Sequence, residues 1–264
     1  MNDAFRLHGA RAVVTGGSSG IGAELCLALA RSGADVAAVH RGDAHGAART
    51  IAGVEALGRR CLMLDGDTGD SSSVDELAQL AVRELGGIDI WVNNAAGLLV
   101  RTFLETTDED WHRLMAANLH GYFYGCRAAA RQMVAQGAGG RIINVSSAAD
   151  VQPLAEAVPY ITAKGGIVAM TRSLALDMAP HGITVNAIAP GATDTPMNGT
   201  AYTEAVRATY GERIALGHIA APAEIADAAV FLATHAARYI TGHELLVDGG
   251  LTINGSVGHR RDPG

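Results

Sequence analysis

The sequence predicts an α/β fold: a Rossmann-like, doubly wound, seven-stranded parallel sheet with helices on both faces. Three observations predict it. From Arg11 almost to the end, short Val/Ile-rich runs alternate with helix-length amphipathic segments, and strands joined in this way require right-handed crossovers and parallel pairing. A glycine-rich turn follows the first run and opens the first helical segment. The composition, 48% apolar with 33 Gly and only 7 Pro, suits helices packed closely over a buried parallel sheet. At 264 residues the chain can bury a full core, and residues 1–264 are expected to form one domain.

In chain order, the apolar, β-branched runs at 12–15, 35–39, 60–64, 88–92, 141–146, 183–188 and 244–247 are the expected strands. The amphipathic stretches near 20–32, 43–57, 71–85, 108–136, 159–179 and 222–234 are the expected helices. Pro159 suits a first helical position, where its missing N–H has no intrahelical partner to lose. Gln136-Gly137-Ala138-Gly139-Gly140 reads as a flexible helix-to-strand connector, and no repeat, charge block or low-complexity linker divides the chain. The interval 192–217 differs. It carries Met197, Tyr202 and Tyr210 with only a weak helical pattern, so it is expected to be an irregular substrate lid. The C-terminal tail, 252–264, ends in a polar stretch, His259-Arg260-Arg261-Asp262-Pro263, expected to fray or to meet another subunit.

The net charge of −7 and the pI near 5.8 provide no field that would draw the chain to nucleic acid or an anionic membrane, which leaves small molecules as partners. The N-terminus has no signal-peptide core and no apolar run approaches the ~20 residues that span a bilayer, so the expected location is the cytoplasm. Cys26, Cys61 and Cys126 are odd in number and lack C-x-x-C spacing, and the ten His residues show no paired ligand spacing. No disulfide framework and no metal site is expected.

Two motifs carry chemistry. In Thr15-Gly16-Gly17-Ser18-Ser19-Gly20-Ile21-Gly22, glycines at 16, 20 and 22 permit a tight turn, close approach of backbone to a pyrophosphate and close helix-on-strand packing. The helix N-terminus behind them offers unpaired N–H groups and a partial positive charge. In Tyr160-Ile161-Thr162-Ala163-Lys164 a phenol and an ammonium stand four apart, on one face of a helix. An unperturbed phenol, with a pKa of about 10, is a poor base at neutral pH. A nearby cation favours the phenolate, and Lys164 is placed to lower the Tyr160 pKa in this way.

Together with Asn93-Asn94-Ala95, Asn118 in a helix, Ser146-Ser147 at a strand end, Pro190-Gly191 with Thr195, and Val247-Asp248-Gly249-Gly250, these motifs resemble the short-chain dehydrogenase/reductase family from about Leu7 to Leu251. One departure is visible: the family's Asn-Asn-Ala-Gly reads Asn93-Asn94-Ala95-Ala96 here, with Gly97 one place later.

The resemblance implies hydride transfer between nicotinamide C4 and a carbinol or carbonyl carbon, with Tyr160 as general acid or base. It implies that Ser147 hydrogen-bonds the substrate oxygen, that Lys164 also holds the nicotinamide ribose, and that Asn118 holds a water linking Lys164 to solvent. Ser146 points to the other side of the strand. Gly16, Ser18, Ser19, Gly20, Ile21 and Gly22 would cradle the cofactor phosphates, Asn94 and Ala95 would line its floor, and Asp67 would accept from the adenine amine. Pro190, Gly191, Thr193 and Thr195 would grip the carboxamide. Where an NAD site places a carboxylate the sequence has His40, followed by Arg41 with a guanidinium suited to a phosphate. NADP(H) is therefore the expected cofactor, with NAD the alternative and Asp43 a substitute carboxylate. The long helices at 108–136 and 159–179 resemble those the family uses to form a homotetramer.

Substrate specificity is expected from 97–103, 148–158 and the segment from Thr193 onward. Asp150, Gln152 and Glu156 are hydroxyl acceptors that point to a sugar or polyol. The competing reading is 3-oxoacyl-(acyl carrier protein) reduction. It is weakened because the turn before the fifth strand is uncharged and the one before the sixth carries only Pro180-His181, whereas an acidic carrier needs a basic patch. A catalytically silent dinucleotide sensor is the alternative of another class, and the intact Ser147/Tyr160/Lys164 set argues against it.

Overall fold

A computed structural model describes residues 3–199 and 201–255. Seven strands, β1 (Arg11–Thr15), β2 (Asp35–His40), β3 (Cys61–Asp65), β4 (Ile90–Asn93), β5 (Gly140–Val145), β6 (Ile183–Pro190) and β7 (Glu244–Val247), form one sheet in the order β3-β2-β1-β4-β5-β6-β7. Every pairing is parallel. The chain winds outward from β1 in both directions, so β1 and β4 are neighbours whose connections leave on opposite sides. A crevice opens beyond their carboxyl ends.

The pleat sorts the core into two layers. Ala12 and Val14 of β1, Ile90 and Val92 of β4 and Ile143 of β5 face one layer. It is completed by α1 (Gly20–Arg31), α2 (Ala44–Glu55) and α8 (Pro222–Ala233) through Leu25, Leu29, Val54, Ile225 and Val230. Val13, Trp91 and Ile142 face the other, where α3 (Ser71–Leu85), α5 (Gly121–Gln136) and α6 (Val158–Met178) supply Leu77, Ala81, Met133 and Ala175. The second layer also encloses a polar chain. Trp91 Nε1 donates to Asn93 Oδ1 at 2.7 Å, Asn93 Nδ2 to Asn144 Oδ1 at 2.8 Å, and Asn144 Nδ2 to the Thr171 hydroxyl at 2.9 Å. Asn93 and Asn144 are register partners on β4 and β5, so one amide pair ties the two central strands to α6 just below the crevice.

The structure departs from the sequence expectations in three places. β3 and β4 start one and two residues later than expected and β5 ends at Val145, which leaves Ser146 and Ser147 just outside the strand. The helix expected over 108–136 is interrupted: α4 (Asp108–Met115) and α5 are joined by a π turn, Ala116–His120, in which the Gly121 N–H reaches back to the Ala116 carbonyl. The inserted residue brings Asn118 to the inside, where it is fully buried. Finally, the interval expected to be irregular contains a helix, α7 (Glu204–Arg213), capped by the Thr203 hydroxyl. None of its residues is buried, so it lacks the apolar stripe that makes a helix legible. The polar tail at 256–264 lies outside the described residues.

Replacing Asn144 by Ala takes from the buried Asn93 Nδ2 its shortest acceptor and from the Thr171 hydroxyl its amide donor. Chemical denaturation is expected to show a loss of about 2–4 kcal/mol.

Candidate active site

The glycine turn is shaped by close approach. Gly16 and Gly20 have φ of 69° and 52°. A Cβ on Gly16 would stand 2.9 Å from Asn94 Nδ2 and 3.0 Å from the Ala95 Cα, and one on Gly22 would lie 1.9 Å from the Gly16 carbonyl oxygen. The end of β1 is thereby pressed onto the end of β4. Thr15, whose role the motif reading misses, makes the joint: its Oγ1 accepts from the N–H groups of Asn94 and Ala95 at 2.8 and 3.1 Å, and Asn94 Nδ2 donates to the Thr15 carbonyl at 2.9 Å. A β-branched hydroxyl at a strand end, one residue before the first glycine, is the signal that would have found it. Ser19 is the N-cap of α1 and makes no side-chain cap bond, which leaves its hydroxyl beside the free first-turn amides.

At the adenosine end, Arg41 and Asp67, expected to bind a phosphate and an adenine amine separately, pair with each other at 3.0 Å. Both are well exposed. His40 lines the same region, its Nδ1 buried without a hydrogen-bond partner. Asp43, the alternative carboxylate, is engaged with its own helix. It caps α2 by accepting from Gly46 N at 2.9 Å, and this bond together with one from the Ser18 hydroxyl holds its carboxyl below the usual range.

Ser147, Tyr160 and Lys164 all line the cleft. The Ser147 hydroxyl favours the Tyr160 phenolate, and its Oγ accepts from Ala149 N at 3.2 Å. Ser146 faces away, donating to Ile188 O at 2.9 Å and to Glu244 Oε1 at 2.7 Å. Lys164 is 1% exposed. Its Nζ donates to Val145 O at 2.7 Å and to Tyr122 Oη at 3.2 Å, and lies 5.6 Å from the Tyr160 ring centroid.

The electrostatics correct the expected lowering of the Tyr160 pKa. Burial pushes the phenol up, opposed only by the Ser147 hydroxyl, and burial lowers Lys164 from the ordinary 10.5 to about 7. Burial disfavours the charged form of each group, the phenolate and the ammonium alike.

Asn118 is tied to a neighbouring backbone unit. Its Nδ2 donates to Gly97 O and its Oδ1 accepts from Gly97 N, both at 2.7 Å. The amide braces the shifted glycine of the Asn93-Asn94-Ala95-Ala96-Gly97 run, and one N–H of Nδ2 and one lone pair of Oδ1 remain beyond these two bonds.

Pro190, Gly191, Thr193 and Thr195 line the far end of the cleft. The Thr193 hydroxyl is turned back onto Gly191 O at 3.0 Å, whereas Thr195 begins a short 3₁₀ turn, Pro196–Asn198, without spending its hydroxyl on a cap. Of the three expected hydroxyl acceptors only Gln152 reaches the cleft. Asp150 does not line the cleft, its Oδ1 buried without a hydrogen-bond partner and its charge helping burial to push up the Glu244 carboxyl, and Glu156 is exposed with a φ of 61°. The wall beside Ser147 is apolar instead, formed by Leu98, Leu99, Pro153, Leu154, Met197 and Leu251.

The cleft is one continuous space of about 710 Å³ from the glycine turn to Tyr210, within the range of ligand pockets. A short-chain dehydrogenase model described as Enoyl-(Acyl carrier protein) reductase matches residues 16–252. The chain belongs to the short-chain dehydrogenase/reductase family. Relatives within it include 3beta-hydroxysteroid dehydrogenase 1 of Eggerthella lenta, 38% identical over 94% of this chain and 95% of the relative. Another is L-rhamnose 1-dehydrogenase (NAD(P)(+)) of a Sphingomonas species, 36% identical over 94% and 98%. A short-chain dehydrogenase of Burkholderia cenocepacia, solved in complex with NADP, superposes with a TM-score of 0.87 at 34% identity, covering 93% of this chain and 99% of that one.

This short-chain dehydrogenase is accordingly an NAD(P)-dependent oxidoreductase of alcohols and carbonyl compounds. The cradle fits such a dinucleotide, since the positions where a Cβ would intrude are the glycines beneath a helix N-terminus with free amides. Among the described residues no group of His, Cys, Asp or Glu could hold a metal, and no helix is long and apolar enough to cross a membrane.

Lys164 has a folded pKa below its unfolded one, so the unfolded chain binds more protons between about pH 7 and 10.5 and stability rises with pH across that window. Below pH 7 the full penalty applies, on the order of 5 kcal/mol. Lys164→Met is therefore expected to raise the melting temperature of the cofactor-free protein, with the gain largest near pH 6 and shrinking toward pH 10. Calorimetric scans across that range provide the check.

Proposed function

We propose that the protein is an NADP(H)-preferring dehydrogenase that interconverts a secondary alcohol and a ketone carried on a largely apolar body. The observation that carries this reading is the arrangement of Ser147, Tyr160 and Lys164 along one wall of the cleft that begins at the glycine turn. Bound there, the nicotinamide accepts or supplies the hydride at C4. Tyr160 takes the carbinol proton in oxidation and returns it in reduction, while Ser147, already in contact with the phenol, donates to the substrate oxygen. Lys164 provides a cation beneath the phenol and an N–H donor for the ribose. Asn118 acts indirectly, as a positioning residue that fixes the Gly97 backbone.

Gly16, Ser18, Ser19, Gly20, Ile21 and Gly22 cradle the pyrophosphate, with Asn94 and Ala95 as the floor. Pro190, Gly191, Thr193 and Thr195 receive the carboxamide, Thr195 through its uncommitted hydroxyl. His40 and Arg41 take the 2′-phosphate, and Asp67 is both the adenine acceptor and the counter-ion of Arg41. The apolar wall of Leu98, Leu99, Leu154 and Met197 supports a hydroxysteroid-like or similar alicyclic substrate. Gln152, Asn198, Tyr202 and Tyr210 supply the polar contacts, and a panel of hydroxysteroids against aldoses separates this from a sugar substrate. The exposed apolar groove of α5 and α6, including Phe123, Val134, Leu174 and Met178, supports a homotetramer. Three unpaired cysteines, two of them buried, fit a reducing cytoplasm.

Tyr160→Phe is expected to keep cofactor affinity within about twofold and to lose at least ~100-fold in kcat, the scale of a general acid or base. Retained turnover would sink the reading. Arg41→Ala is expected to raise the Kd for NADP+ about tenfold or more while leaving NAD+ nearly unchanged, as fluorescence titration with both dinucleotides can show.

A further inference from the structure

Lys164 is held by a second phenol to which the motifs give no role. Tyr122, in the first turn of α5, is 1% exposed and donates from Oη to Val145 O at 3.0 Å. The same oxygen accepts from Lys164 Nζ at 3.2 Å, and Nζ donates in turn to Val145 O at 2.7 Å. A hydroxyl has one proton. With that proton directed at the carbonyl, a lone pair of the phenol oxygen faces the amine. The three groups close a triangle at the end of β5, and no carboxylate pairs with Lys164 among the described residues.

We propose that Tyr122 is a positioning residue for Lys164: its phenol oxygen fixes the amine against β5, favours the ammonium over the neutral amine, and leaves the remaining N–H for the cleft. The inference rests on the proposed use of Lys164 beneath Tyr160. The triangle takes the place of an ion pair, because a lone pair and a carbonyl stabilise a buried ammonium without introducing a second charge to desolvate.

The titratable groups beside Lys164 are Tyr160 on its own helix and Tyr122 from α5, with Cys126 acting on Tyr122 and Tyr202 on Tyr160 from behind them. Burial pushes all four up, Cys126 and Tyr202 to about 12, so Lys164 is the member that titrates near neutrality.

Lys164 is the only lysine in the sequence. Protein grown on 13Cε-labelled lysine therefore provides a single side-chain signal whose shift with pH reads this amine directly, in the cofactor-free protein. Tyr122→Phe removes one oxygen and keeps the ring. Its Lys164 midpoint is expected about one pH unit below that of the wild type. Tyr122→Leu serves as a second variant, with the same direction expected, and thermal melts establish that each is folded. Midpoints matching the wild type within about 0.2 pH unit in a folded variant would overturn the assignment, as would a midpoint that rises. That result would leave the proposed function standing, because the latter depends on turnover by Tyr160→Phe and this measurement involves no turnover.

Discussion

A primary amine sealed inside the protein is the constraint on which the site depends. Apart from ten histidines, the basic side chains elsewhere in this sequence are all arginines, whereas the one lysine lies on α6, 1% exposed, with a pKa drawn down to about 7. An arginine could not substitute. Its guanidinium keeps its proton under any burial found in proteins and is too large and planar for a pocket closed by a tyrosine and a strand-end carbonyl. A lysine can exist there charged or neutral, and which form prevails is set by a few polar atoms. The helix that carries it starts at Val158 with Pro159, so the geometry of Tyr160 and Lys164 follows from where α6 begins.

The second requirement is that the amine, the phenol and the cofactor cradle meet. The reversal of strand order between β1 and β4 provides the crevice, and Thr15 locks the two strand ends together through the Asn94 and Ala95 amides. Immediately beneath, the Asn93–Asn144–Thr171 chain couples β4, β5 and α6. Hydrogen bonds that position the floor of the cleft are therefore also those that position the helix bearing Tyr160. Misplacing either would misplace both.

The strands and most helices were legible because parallel buried strands are short apolar runs and the crossover helices carry regular apolar stripes. β7 and α3 match their expected spans residue for residue. The glycine turn, Ser147, Tyr160 and Lys164 were legible for another reason: tight backbone approach and paired chemistry leave fixed spacings. What escaped reading depends on energies that spacing does not encode. The π turn at Ala116–His120 is an insertion of one residue into a helix whose pattern continues on both sides. The pairing of Arg41 with Asp67 joins residues just past the ends of β2 and β3 that each looked committed to a ligand. The direction of the Tyr160 shift is decided by how deeply α6 is covered. Asp150 looked like a substrate contact because of its place after Ser147, yet the short turn over Ala148–Asp150 swings its carboxyl toward Glu244 on β7.

α7 rests on the mouth of the cleft and buries none of its own side chains. A segment that adds so little to the hydrophobic interior is released from the demands that hold the sheet and its flanking helices to one set of residues. Substitutions there remove little buried apolar surface, and Tyr210 and Arg213 are the α7 residues that line the cleft. The rim can thus vary in sequence more freely than the strand ends and α6 beneath it, where nearly every side chain is spoken for by packing or a hydrogen bond.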